Sequence, residues 1–492
     1  MSCLEWVDEL AIETFNEHAL AGLAVGVVRD GELAHFTGLG LADAEQRRPV
    51  APDTVFRVGS ISNTMTAIAV LQLVEEGVLS LDDAVNDLGT RARINAPEPV
   101  TVRHLLTHMS GLGELRRFSD VVKPMAGIAL KRGKRLPALA EYYTPAPRTA
   151  VAPGIKWAYA NHGFALLGLL VEDLRATPFP EVMRERIFAP LGMERTDFEL
   201  TPHVRERLAI GYVLGGGRMR TVPDLQIVVG PAGSCYSTTE DMARYVAALA
   251  GGGAPLLRPE SFERMLEPQG ERDPHMPSMG LAFFLDRIGG HRVAGHDGGW
   301  IGFVSAMAFA PDDGLGVVAF TNTSVGFAPH VLAERVLRRL LGAGDDSPAL
   351  VAQDPHAWSQ LTGLYKPPRG LNTNLRWWPM LGGEVEIAVR KGGLIARAPS
   401  PVRELRKGVP LSAADPEDPL RFEVRVGDWV VPVVFERGPD GEIEALRTGS
   451  TRGGFLRLRR RPRATSLRLW ARATGGAGAL AAAAVAARRW RR

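Results

Sequence analysis

Between Thr64 and Glu76 the chain reads TMTAIAVLQLVEE, so nearly apolar that a helix built from it presents almost no face to water. Such a helix must lie in the middle of a folded body, and Gly77 just beyond it supplies a residue able to close it in the left-handed region. The rest of the sequence has to supply layers around it. Leu4, Val7, Ala11, Phe15 and Ala19 recur at helical spacing and predict an amphipathic helix over 4–19. LAVGVVRDGELAHFTGLG follows, two β-rich runs joined by Asp30-Gly31, a dipeptide suited to a tight antiparallel hairpin. From Asp82 to about Leu200 helix and loop dominate, with helical segments at 104–115, 160–174 and 182–193. Strand-like runs resume near Gly280, include the turn Pro311-Asp312-Asp313-Gly314, and end in a helix over 328–341. The order predicts an α+β fold: an antiparallel sheet flanked by helices, with a helical lobe inserted before the sheet resumes and a cleft between the two.

A chain of 492 residues with 45% apolar content has ample material for a core, which excludes global disorder and suits one large domain with a smaller companion. The expected division is 1–345, a linker at 346–360, a small β domain at 361–460 and an Arg/Ala-rich tail at 461–492. The small domain carries short strands between turn signals and reads as an antiparallel barrel or sandwich with no chemical constellation of its own. The formal charge of +3 conceals twelve arginines and no acid from Thr451 onward, so the preceding 450 residues carry −9. That tail is fitted for weak contact with an acidic membrane surface, and no specific nucleic-acid partner is expected. Its apolar run at 473–487 is too short and too glycine-rich to span a bilayer. The start MSCLEWVDEL lacks the basic and then apolar pattern of an export leader, which gives a cytoplasmic expectation. Cys3 and Cys235 are expected as free thiols. His104 and His108 are four apart without a third ligand, so neither a metal nor another cofactor is expected.

Three clusters could carry chemistry. In FRVGSISNTMTA, Ser60 precedes the central helix, where free backbone N–H groups favour negative charge; it is either a helix cap or a nucleophile. One helical turn on stands Asn63, which hydrogen-bonds but cannot accept a proton near neutrality. In KWAYANHG, Tyr159 and Asn161 sit two apart in an expected loop before a helix beginning near Gly163; the tyrosine either moves a proton or packs an interface. In GHDGGWIGF, His296, Asp297 and Gly298 open a strand facing the cleft, with the histidine either functional or simply a surface residue.

VFRVGSIS, LQLVEEGVLSLDD, VTVRHLLTHMSGL, YANHGFALLGLLVE, IFAPLGM and GHDGGWIGF, in this order over roughly residues 8 to 342, resemble the penicillin-recognising serine hydrolases: the group of class C β-lactamases, D-alanyl-D-alanine carboxypeptidases and family VIII esterases. The resemblance implies a β-lactamase/transpeptidase-like fold and, more weakly, a lipocalin-like C-terminal appendage. It also implies roles. Ser60 would be the acyl-accepting nucleophile, Tyr159 its proton partner and His296 a border of the oxyanion region. Asn63, Asn161, Gly298 and Trp300 would line the substrate, with the N–H groups of Ser60 and of the strand near Trp300 forming the oxyanion hole. The departure is Asn63, where the family carries its catalytic lysine. The expectation is therefore a serine hydrolase working through an acyl-enzyme on a small ester, ahead of amides or β-lactams, attenuated by the missing lysine. The alternative is an inactive relative that binds a peptide or acyl ligand in the same cleft. His162 and His108 are the candidate substitute bases.

Overall fold

The computed structural model describes residues 4–269, 276–344 and 355–466, apart from 369, 371, 376, 391, 427, 428 and 451–453. The readings made for Cys3, for most of the 346–360 linker and for the tail beyond 466 lie outside the described residues.

The described chain forms two compact units. The first is built on an eight-stranded antiparallel sheet. Its strands are β1 (Gly22–Arg29), β2 (Glu32–Asp43), β3 (Arg48–Pro49), β4 (Ser278–Met279), β5 (Phe284–Ile288), β6 (His291–Trp300), β7 (Phe303–Ala310) and β8 (Leu315–Thr321), in the order β4-β5-β6-β7-β8-β1-β2-β3. The hairpin between β1 and β2 turns through Asp30 and Gly31, both at positive φ, as the Asp-Gly pair predicts. Pairing of β1 with β8 brings the two ends of the unit together in one sheet.

Alternation along β1 sorts its side chains to two faces. Leu23, Val25 and Val27 pack with Val7 and Ala11 of α1 (Glu5–Glu17) and with Leu332, Val336 and Leu337 of a helix at Ala328–Leu340. Ala24 and Val28 face the larger core, which contains α2 (Ser62–Glu75), where every residue from Ser62 to Leu71 is buried. The central apolar run thus lies where its composition requires, and Gly77 closes it at φ 71°.

Helical segments occupy the stretch between the two halves of the sheet, including α3 (Val102–Leu106) and α4 (Asn161–Arg175). The segment expected as a helix over 104–115 is shorter: α3 ends at Leu106. Its last turn closes by two backbone bonds, from the N–H of His108 to the Leu105 carbonyl at 3.3 Å and from Met109 to His104 at 2.9 Å. His108 itself stands at φ 57°, so it does not share a helical face with His104. A helix also begins earlier than expected, since Asn161 is already the first residue of α4.

The second unit is a closed eight-stranded antiparallel barrel running from Gly363–Lys366 to Gly454–Arg461, the first strand pairing with the last. Its interior is filled by Tyr365, Ile387, Phe422, Phe435, Leu446 and Leu458 among others. Trp157–Tyr159 group with this unit by their contacts. The Trp157 ring meets Phe455 edge-on at 5.3 Å, and a Cβ placed on Gly454 would fall 1.9 Å from that indole. No helix among the described residues is long and apolar enough to cross a membrane.

Candidate active site

Ser60 lies in a single 3-10 turn, Gly59–Ile61, that leads into α2. It does not cap that helix, whose N-cap position is Ile61 with no side-chain cap. Gly59 makes the turn possible because it takes φ 52°, and because a Cβ there would lie 2.7 Å from the backbone nitrogen of Gly299. Three side-chain bonds fix the turn from behind. The Ser62 hydroxyl donates to the Gly59 carbonyl at 2.7 Å and accepts the Cys235 N–H at 3.2 Å, while the Ser305 hydroxyl donates to the Val58 carbonyl at 2.8 Å. Ser60 is only partly covered, whereas Ser62 beside it is fully buried.

Strand β6 supplies the opposite wall. Gly298 approaches the Ser60 turn so closely that a Cβ on it would sit 1.9 Å from the Val58 carbonyl oxygen and 2.3 Å from the Ser305 hydroxyl. His296, Gly298 and Trp300 alternate with Asp297 and Gly299 along the strand. His296 is buried, its ring tilted against Phe284 at 5.3 Å, and its Nδ1 lies 2.6 Å from the Asp297 carbonyl. A carbonyl only accepts, so Nδ1 carries a hydrogen. Asp297 is committed elsewhere, with Oδ1 2.5 Å from Nδ1 of His330 on the helix at Ala328–Leu340. Trp300 is buried beside Arg57, whose guanidinium lies 5.7 Å from the indole and 4.8 Å from the Tyr236 ring.

Asn63, one turn along α2 from Ser60, is completely buried. Its amide cannot take a proton. The two histidines considered as substitutes are also committed. His162 is fully buried on α4, with Nδ1 2.9 Å from the Tyr143 hydroxyl, and burial depresses its pKa to about 4. His108 is buried too, and its Nδ1 accepts the backbone N–H of Ala160 at 3.2 Å. Neither stands ready as a general base. A group that the sequence reading passed over is Lys156, whose pKa burial lowers to about 7 against the opposing charge of Glu114. Arg57, Ser62 and Ser305 were passed over as well, because their roles arise from burial and from partners distant in the chain.

Ser60, Asn63, His296, Gly298 and Trp300 therefore share one region of the first unit, where the turn into α2 meets β6. Asn161 opens α4, which contributes to the same core as α2; its amide oxygen is buried with no hydrogen-bond partner among the described residues. Tyr159 is buried with its ring 6.3 Å from that of Trp157, in the segment that goes with the second unit. Among the described residues no group of three or more His, Cys, Asp or Glu side chains could hold a metal ion.

The family model described as "Beta-lactamase" matches residues 7–341. A human relative named "Putative beta-lactamase-like 1" is 28% identical, with 64% of each chain covered, and the putative penicillin-binding protein PbpX of Bacillus subtilis is 28% identical over 51% of this chain and 60% of its own. The chain thus spans less than two thirds of the length of these curated relatives. Among solved structures, the octameric penicillin-binding protein homologue from Pyrococcus abyssi aligns over 93% of this chain and all of its own, with 23% identity and a TM-score of 0.62. The last likeness covers both units and shows shared fold.

Proposed function

The chain belongs to the beta-lactamase family, and on that premise we propose that it is a serine hydrolase that acts through an acyl-enzyme on a small ester, ahead of amide or β-lactam substrates. The observation that carries the reading is the fit of the Ser60 turn against β6: a partly accessible hydroxyl at the start of a buried helix, held beside a strand edge that only glycine permits at 298. A hydroxyl so placed is near backbone N–H groups and the positive end of α2, which favour both an attacking alkoxide and an oxyanion.

In this reading Tyr159, ionised to its phenolate, accepts the Ser60 proton while Oγ attacks the acyl carbon. The oxyanion is held by the N–H of Ser60 and by one from β6 near Trp300, and Asn161 holds a polar group of the substrate. Tyr159 returns the proton to the leaving alkoxide, and water then releases the acid from Ser60. His296 is fixed beside the substrate region by its Nδ1–H bond to the Asp297 carbonyl. Positioned general-base catalysis is typically worth ~10² to 10⁴ in rate, about 3 to 5.5 kcal/mol. Asn63 supplies neither a base nor the positive charge that would ease ionisation of Tyr159, so acylation is slow. Esters are favoured because an alkoxide leaving group demands less proton donation than an amine.

The buried Asn63 also favours a second reading, a cleft that binds an acyl or peptide ligand without turnover. Labelling with a fluorophosphonate probe separates the two. A hydrolase yields a covalent adduct on Ser60 that vanishes in Ser60→Ala, together with measurable hydrolysis of a short-chain aryl ester; a folded chain that takes no label at Ser60 refutes catalysis.

A further inference from the structure

Helix α3 ends on an unusual residue. The paired bonds from His108 to Leu105 and from Met109 to His104 are the two bonds of a Schellman closure, and the residue between them must turn left-handed. Glycine is the usual occupant because it alone does so without steric cost. Here the position holds a histidine at φ 57°. Histidine enters this region more readily than most residues with a side chain, though at more cost than glycine, and here the side chain has a definite task.

The ring of His108 is buried and lies against Phe164 of α4, centroids 5.0 Å apart. Its Nδ1 receives the N–H of Ala160 at 3.2 Å. A backbone N–H only donates, so Nδ1 is bare and a neutral ring carries its hydrogen on Nε2. Ala160 is the residue between Tyr159 and Asn161, extended at φ −136° and ψ 100°, and its carbonyl already accepts the Gly163 N–H at 3.0 Å as α4 begins. The same two stretches of chain are laced nearby: Ala150 N–H to the Gly111 carbonyl at 2.8 Å, and Gly154 N–H to the Met109 carbonyl at 2.7 Å. Both peptide groups flanking the Ala160 Cα are thereby held, one of them by a side chain 52 positions away.

We propose that His108 is a positioning residue: by accepting the Ala160 N–H from the end of α3, it sets the backbone that aims Tyr159 and Asn161. The inference rests on the serine-hydrolase reading for its consequence in catalysis, but the clamp itself can be tested without turnover.

The design uses the full chain with three substitutions. His108→Gly keeps the left-handed backbone and removes the acceptor. His108→Asn keeps both, since asparagine tolerates positive φ and its amide oxygen accepts. Phe164→Leu loosens the ring packing and leaves the bond. Amide hydrogen exchange at Ala160, read by mass spectrometry on peptides spanning 157–163, is expected to quicken about tenfold in His108→Gly, the loss of one ordinary hydrogen bond, and to recover in His108→Asn. On an aryl ester, kcat is expected to fall ~10- to 100-fold in His108→Gly with KM little changed, as for misplaced rather than missing groups, and to return within a few-fold in His108→Asn. Phe164→Leu should leave both readouts near wild type. Unchanged exchange in a folded His108→Gly chain would overturn the clamp, and quickened exchange with unaltered kcat would overturn its role in aiming the site. Should the wild-type chain show no ester turnover, the hydrolase reading fails, while exchange at Ala160 still decides whether the histidine holds the turn.

Discussion

Asn63 stands three residues beyond Ser60, and under the proposed function it is the residue that sets how fast that serine reacts. Asn63 is completely buried, so bulk solvent cannot lend the base that the side chain lacks. Replacement by lysine restores an amine at that point on the helical face, and Asn63→Lys is expected to raise kcat/KM for aryl-ester hydrolysis by ~10² to 10⁴, the usual worth of a positioned base. An unchanged rate in a folded variant would mean that the cleft has lost more than its lysine and would favour ligand binding without turnover. The placements of Ser60 before a buried helix, of Asn63 three residues on and of Gly298 in a strand were legible because each constraint is local, while their proposed roles came from the order of the motifs. His108 was legible as a motif residue only, and its work was not, because the left-handed turn and the partner 52 residues away exist only in the fold. Lys156 was missed for a related reason, since burial creates its lowered pKa and no sequence pattern announces burial of one lysine.

Helix α4 shows how an element's first turn can carry an acid-sensitive weakness. His162, its second residue, is fully buried against Tyr143, and burial holds its pKa near 4, below the ordinary histidine value of 6.5. Between those values the unfolded chain binds a proton that the folded chain refuses, so stability falls as pH falls from about 6.5 to about 4 and levels off below. The gap corresponds to about 3 kcal/mol. Urea unfolding of the wild-type chain should show a loss of that order across the window beyond the slope seen in His162→Gln, which lacks the titrating ring; parallel slopes in the two proteins would contradict it. The sequence had offered His162 as a substitute base beside Asn161. A helix that begins at Asn161 rather than near Gly163 turns the next residue inward, and the same shift moves Asn161 from loop to helix N-terminus. The shortening of the 104–115 segment has a comparable cause, because a histidine at positive φ ends α3 where composition alone would extend it.

On the scale of the whole chain, order in sequence and grouping in space part company at 157–159. Those residues fall in the middle of the region matched by the family model, yet their contacts group them with the C-terminal barrel. The composition of the barrel announced short strands and turns, and it is a closed barrel with its own filled interior; nothing in that pattern announced an added tryptophan. The reason is steric. Gly454, at φ 80°, has no side chain, and the indole of Trp157 occupies the space where one would stand, with Phe455 edge-on to it. Two residues after that indole comes Tyr159, the proposed proton carrier. Gly454→Val should therefore expel the indole and disturb the tyrosine segment. In protein labelled with 5-fluorotryptophan, the resonance assigned through Trp157→Phe is expected to shift in Gly454→Val, because a valine side chain needs the space the indole fills. An unshifted resonance would show that the indole does not rest on Gly454 in solution.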